Sequence, residues 1–254
     1  THDDLLFFTN KGKVYRLRGY EIPEFSRQAK GLPIVNLLPI DKEENVNSMI
    51  KVTPGSVDQK YILFATRMGI VKKTLLSEFE NIRTSGKICI SLKDGDELIE
   101  VKKTYGDDKI LLGSSEGRMV KFKETDIRPM GRTAAGVKGI NLNANAKCIC
   151  GEVVTEEDTV LLVTEKGYGK QTKVCDYRET KRGSKGVKAL NVTEKNGNLV
   201  SLKTVKGDED LLIITNSGII IRIDTQQIST LNRNTQGIRL INLKDNQKVS
   251  TVAL

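Results

Sequence analysis

Twelve cations fall in five short glycine loops of this chain. Segments 27–31, 83–87, 132–138, 181–188 and 233–239 carry Arg27, Lys30, Arg83, Lys87, Arg132, Lys138, Lys181, Arg182, Lys185, Lys188, Arg233 and Arg239, and no Asp or Glu. The whole sequence has 41 Lys plus Arg against 32 Asp plus Glu in 254 residues. At that composition these loops would hold roughly 5 cations and 4 acids, so the signal is segregation of sign rather than basicity alone. Ammonium and guanidinium groups beside glycine-exposed backbone N–H groups suit phosphate oxygens. Thr84, Ser85, Thr133, Ser184 and Thr235 add hydroxyl donors. One such loop is an ordinary solvated turn; five at the same place in a repeat form a belt of charge. Aromatic residues make up 5% of the chain and are absent from these loops. Base stacking on single strands is therefore disfavoured, and duplex is the better partner. A second set lies on the strands after the turn glycines: Lys13, Arg16, Arg18, Lys72, Lys73, Lys121, Lys123, Lys170 and Arg222, read as secondary contacts.

Other chemistries find little support. His2 is the only histidine, and there is no Trp. Cys89, Cys148, Cys150 and Cys175 contain one close pair and no second knuckle, so they read as small buried strand residues in a reduced, cytoplasmic setting rather than as a zinc site. GYGKQT at 167–172 has the wrong spacing for a phosphate loop and no helix after it. DGDE at 94–97 is ordinary turn chemistry. None of the six tyrosines stands beside an acidic metal cluster and an arginine, so no catalytic residue is expected.

The elements that must position the cations come from an internal repeat. One set of glycines is Gly12, Gly69, Gly117, Gly167 and Gly218; the other is Gly31, Gly86, Gly136, Gly186 and Gly237. Spacings in the second set are 55, 50, 50 and 51, and the two glycines of a repeat lie 17 or 19 residues apart. In the last repeat LLIIT at 211–215, the turn NSG and IIIRI at 219–223 read as a hairpin, followed by strands at 238–243 and 248–254. Four short strands per ~50 residues and no amphipathic helix predict an all-β propeller, one blade per repeat. The repeats run roughly 1–54, 55–104, 105–155, 156–205 and 206–254, as a single domain. No apolar stretch approaches the ~18–20 residues of a membrane span, and no signal-peptide pattern opens the chain.

The segments EIPEF at 21–25, AKGLPIVNLL at 29–38, MGRTAAGVKGI at 130–140, EKGYGK at 165–170 and NTQGIRLI at 234–241 resemble the C-terminal domain of the DNA gyrase A subunit over essentially the whole chain. The resemblance implies a six-bladed β-pinwheel, in which strands are exchanged between blades, with five full repeats visible here. It also implies duplex DNA wrapped around a basic outer rim, so that strand passage introduces negative supercoils. On this reading the chain carries no catalytic residue, metal or cofactor. The DNA-cleaving tyrosine belongs to the N-terminal part of the gyrase A subunit, while ATP and Mg2+ are used elsewhere in the complex. The implied partners are double-stranded DNA, the rest of the gyrase A subunit, and the gyrase B subunit in an A2B2 complex on the bacterial chromosome, with no membrane. The family's signature box, Q-[KR]-R-G-G-[KR]-G, is absent. It would precede THDDLLFF at 1–8, and the nearest remnant is KRGSKG at 181–186. The related topoisomerase IV subunit, which carries degenerate boxes, is the competitor within the family. A protein-interaction propeller docking an acidic partner is the competitor outside it.

Overall fold

Each turn glycine closes a β-hairpin in the same way. The computed structural model describes residues 2–53, 60–244 and 246–254. In all five repeats the glycine N–H donates to the carbonyl three residues earlier, at Thr9, Thr66, Ser114, Thr164 and Thr215, over 2.9–3.1 Å. The hydroxyl of that same Thr or Ser accepts the N–H of the residue after the glycine, over 3.1–3.4 Å. A side-chain oxygen thus satisfies a buried donor that the turn leaves over.

The first repeat forms β1 (Asp4–Thr9), β2 (Lys13–Arg18) and β3 (Val46–Val52). The second forms β4 (Tyr61–Thr66), β5 (Ile70–Leu75), β6 (Lys87–Ile88) and β7 (Leu98–Thr104). The third forms β8 (Lys109–Ser114), β9 (Arg118–Lys123), β10 (Val137–Lys138) and β11 (Cys148–Val154). The fourth forms β12 (Thr159–Thr164), β13 (Tyr168–Lys173), β14 (Val187–Lys188) and β15 (Leu199–Val205). The fifth forms β16 (Asp210–Thr215), β17 (Ile220–Asp224), β18 (Ile238–Arg239) and β19 (Val249–Ala253). Among the described residues the remaining elements are 3-10 turns, with no α-helix.

The sheets do not coincide with the repeats. Their orders are β3-β1-β2-β6, β10-β5-β4-β7, β11-β8-β9-β14, β15-β12-β13-β18 and the three-stranded β17-β16-β19. The short third strand of each repeat from the second onward pairs on the second strand of the repeat before it. This is the strand exchange that the resemblance implies. Five sheets form, and no described segment supplies a fourth strand beside β17, whose Ile220 is 61% exposed. The strand expected at 238–243 shrinks to two residues. Its pairing is limited to Ile238 and Arg239 against Gly169 and Tyr168, after which the Leu240 and Ile241 N–H groups turn to the Gly167 carbonyl.

The chain divides into two compact units, residues 1–107 with 127–137, and residues 108–126 with 138–254. Because of the exchange, the third repeat contributes residues 127–137 to the first unit. That unit is cored by Leu6, Phe8, Ile62, Phe64 and Phe79, with the three Phe rings 5.8–6.1 Å apart in centroid. The second unit has two clusters, one around Leu162, Val174, Tyr177 and Leu202 and one around Leu211, Ile213 and Val252.

The second set of glycines is explained by contact across the exchange. A Cβ on Gly186 would lie 2.2 Å from the Met119 carbonyl oxygen, and one on Gly237 would lie 2.6 Å from the Gly169 oxygen. Gly31 is the exception, with nothing within 4 Å of a Cβ built there. Both Gly186 (φ +70) and Gly31 (φ +68) are left-handed, so an added Cβ costs each about 1 kcal/mol in backbone strain. Gly186→Ala must also push strand from strand. It is expected to lose about 1–3 kcal/mol more than Gly31→Ala in urea denaturation; equal losses would contradict the close-approach account.

Candidate nucleic-acid interface

The strand exchange places four of the five cationic loops, those at 83–87, 132–138, 181–188 and 233–239, at the junction with the preceding repeat, and the first arginine of three of them joins it to the loop before. Arg132 Nε donates to the Ile88 carbonyl at 3.0 Å, Arg182 Nη1 to Lys138 at 3.2 Å, and Arg233 Nη1 to Lys188 at 3.1 Å. These acceptors occupy one position, two residues after the loop glycine, in three successive repeats. Arg182 Nε also donates to the Asp126 carbonyl at 2.9 Å. The sequence alone presents these arginines as free phosphate contacts. The structure gives each a second task, and each is only half-exposed.

All twelve loop cations reach solvent. Arg27, Lys30, Arg83, Lys138, Lys181, Lys185, Lys188 and Arg239 are exposed; Lys87, Arg132, Arg182 and Arg233 are half-buried. Lys188 Nζ donates to Asn191 Oδ1 at 2.7 Å, and Arg239 to the Tyr168 hydroxyl at 2.9 Å. The 27–31 segment stands apart from the others, fully exposed and outside any strand.

The secondary set needs correction. Lys72, Lys73, Lys121 and Lys170 are buried, because their ammonium groups serve the protein itself. Lys72 Nζ donates to the carbonyls of Cys89 at 2.6 Å and Gly131 at 3.1 Å, and to that of Arg132. Lys170 Nζ donates to the carbonyls of Asn232 and Arg233, each at 2.7 Å, and to Thr235 Oγ1 at 3.1 Å. Each therefore holds the backbone of a cationic loop from beneath. Lys121 reaches Glu156 Oε2 at 2.8 Å and the Val174 carbonyl at 3.1 Å, and Lys73 lies 4.8 Å from the Tyr61 ring centroid. Lys13 pairs with Asp41 at 3.1 Å, Arg16 donates to the Glu80 carbonyl at 2.8 Å, and Arg222 pairs with Asp210. Arg18 and Lys123 remain exposed.

A sequence signal for two of the buried lysines exists. Lys72 and Lys170 stand three residues after the turn glycine, where the other repeats have Tyr15, Val120 and Ile221, an apolar position. Cys89, Cys148 and Cys150 are buried, whereas Cys175, in a 3-10 turn (Val174–Asp176), is exposed. No cluster of three or more His, Cys, Asp or Glu able to hold a metal lies among the described residues. No helix of the described residues is long and apolar enough to cross a membrane.

Hairpin units that each lend a strand to the preceding sheet define a strand-exchanged β-propeller. The family described as DNA gyrase C-terminal domain, beta-propeller, matches residues 3–53, 60–104, 108–149, 158–206 and 209–254, one stretch per repeat, and the chain belongs to that family. Relatives include the DNA gyrase A subunits of Staphylococcus epidermidis and Staphylococcus aureus, each 50% identical over all of this chain and 29% of the relative. The chain thus spans less than a third of those curated relatives. Among solved structures, the C-terminal domain of DNA topoisomerase IV matches with a TM-score of 0.91 at 28% identity, covering 99% of this chain and 79% of that one. The DNA gyrase A C-terminal domain matches with a TM-score of 0.83 at 26% identity, covering 99% and 82%.

Burial holds the Lys170 ammonium well below its ordinary 10.5, at about 8, with Arg233 adding to the effect; Lys72 is lowered to about 8 chiefly by burial too. Between about 8 and 10.5 the folded chain therefore binds fewer protons at these sites than the unfolded chain. Their desolvation penalty is full below 8 and is relieved as pH rises through that window. Lys170→Met keeps the stem but abandons three carbonyl or hydroxyl acceptors, and is expected to cost about 1–3 kcal/mol at pH 7. Urea denaturation at pH 7.5 and 9.5 should show wild type gaining on the variant as pH rises; a pH-independent difference would contradict the buried ammonium.

Proposed function

We propose that the chain binds duplex DNA along its cationic loops and wraps it within DNA gyrase, so that the enzyme introduces negative supercoils. The observation that carries this reading is the set of acid-free loops held in register by strand exchange and by the Arg132, Arg182 and Arg233 hydrogen bonds. Phosphates are the target, because the loops offer cations, hydroxyls and exposed N–H groups but no aromatic ring. Little sequence preference follows, since such contacts position a duplex without reading its bases. Membership of the gyrase family and 50% identity to gyrase A subunits support this over the topoisomerase IV reading. The lack of aromatic anchors on the loops weighs against docking of an acidic protein.

In this reading the chain carries no catalytic group and no cofactor. DNA cleavage belongs to the rest of the gyrase A subunit, and ATP hydrolysis with Mg2+ to the gyrase B subunit, the partners in an A2B2 complex in the bacterial cytoplasm. Bending a short duplex site by 40–90° costs ~1–6 kcal/mol, more than one loop with two cations offsets. Distribution of charge over successive repeats answers that cost.

If six to ten phosphates are neutralised, log K against log[salt] should slope by roughly −5 to −9, and affinity should grow with duplex length. Lys181→Glu, Lys185→Glu and Lys188→Glu together should weaken duplex binding about 100-fold in gel shifts at fixed salt. Lys42→Glu with Lys206→Glu, exposed cations outside the loops, should change it less than 3-fold. A shallow slope, length-independent affinity, or equal losses from the two sets would overturn the proposal.

A further inference from the structure

A second cationic feature lies in the second unit, where the fourth-repeat hairpin turn meets residues 239–248. Lys166, Lys195, Arg239, Lys244 and Lys248 surround a depression of about 460 Å3, with Tyr168 in its wall. Of these five, only Arg239 belongs to a cationic glycine loop. No carboxylate is among the described lining residues; Asp245, between two of them in sequence, lies outside the described set.

The polar groups here are arranged for an acceptor from outside. Tyr168 is buried, and its hydroxyl oxygen accepts Arg239 Nη2 at 2.9 Å and Nε at 3.3 Å. Its own proton has no acceptor among the described residues. Arg239 Cζ lies 5.5 Å and Lys195 Nζ 5.7 Å from the Tyr168 ring centroid, so one ring faces two cations. The other partners are mostly neutral: Arg239 Nη1 donates to Asn242 Oδ1 at 3.2 Å, and Lys166 Nζ to the Glu194 carbonyl. Among the described residues Lys248 alone of the five makes an ion pair, with Glu165 at 3.2 Å, and Lys166 feels the same carboxylate. Like charges gathered around one depression repel, and a bound anion relieves that repulsion.

The cluster is not a by-product of the repeat. At the preceding junction the positions of Lys166, Lys244 and Lys248 are taken by Glu116, Thr193 and Asn198. One acid and two neutral residues there stand against three cations here.

We infer that this depression binds a compact polyphosphate group, such as a diphosphate or the phosphate tail of a nucleotide. A DNA strand offers one charge per phosphate. Five cations converging on one spot match the several charges that a compact polyphosphate carries in a small volume. Because Arg239 is shared with the fifth cationic loop, an occupied depression would compete with DNA there.

The test is isothermal titration of the chain with inorganic diphosphate at matched ionic strength, without DNA. Saturable binding to one site is expected, tighter than that of orthophosphate. Lys195→Ala with Lys244→Ala should weaken it at least tenfold, and Tyr168→Phe severalfold. Lys181→Ala with Lys185→Ala should leave it within twofold. In a separate gel shift without diphosphate, the Lys195/Lys244 double variant should hold duplex within twofold of wild type, so failure of the DNA reading shows there and not in the titration. Absence of saturable heat, insensitivity to the double variant, or equal loss from the Lys181/Lys185 control would overturn the inference. Loss of duplex binding by the double variant without diphosphate binding would also overturn it, reassigning these cations to the DNA backbone.

Discussion

Where a segment of one repeat crosses the second strand of the repeat before it, backbone lies on backbone with no room for a side chain between. The Gly186 and Gly237 contacts with the Met119 and Gly169 carbonyls are the measure of this. The placing of the cationic loops hangs on that approach. The residues flanking the loop glycine on one side pair into the preceding sheet, and those on the other side carry the first cations. Loop position is therefore set by sheet hydrogen bonds rather than by loop length. The arginine bonds from Arg132, Arg182 and Arg233 then take each loop's register from the strand that precedes it.

The buried lysines are the less obvious half of the same device. A loop whose carbonyls point inward leaves acceptors that water cannot reach, and neutral side chains offer at most two donors. An ammonium offers three. Lys72 and Lys170 each spend theirs on the underside of a cationic loop, and the cost of burying the charge is offset by three acceptors at hydrogen-bond distance.

The repeat was legible because its glycines are required by left-handed turns and close approach, both of which leave a residue-type signature at fixed spacing. Strand exchange was not legible from periodicity. A two-residue strand such as β14 has no pattern, and pairing within a repeat or with its neighbour produces the same string; it entered only through the resemblance. Lys72 and Lys170 misled because a Lys on an alternating strand looks solvent-facing, although the apolar residues at the matching positions, Tyr15 and Val120, mark the place as interior. Lys121 had no such marker, since its matches Arg16, Lys73, Gln171 and Arg222 are all polar.

Structural duty and ligand binding do not exclude one another at the loop arginines. A guanidinium has five N–H donors in a planar fork, and the inter-loop bond of Arg132 or Arg233 uses one edge of it. The remaining edge of a half-exposed side chain stays available to a phosphate oxygen already oriented by the first bond. Such preorganisation lowers the side-chain entropy lost on contact. It also means that removing one of these arginines disturbs two loops at once. The exposed lysines, Lys181, Lys185 and Lys188, have ammonium groups that hold no neighbouring loop in place, so a change there alters charge while the scaffold stays as it was. At these loops Arg132, Arg182 and Arg233 hold backbone in place while the exposed Lys181, Lys185 and Lys188 carry charge into solvent, a division that follows the chemistry of the two side chains.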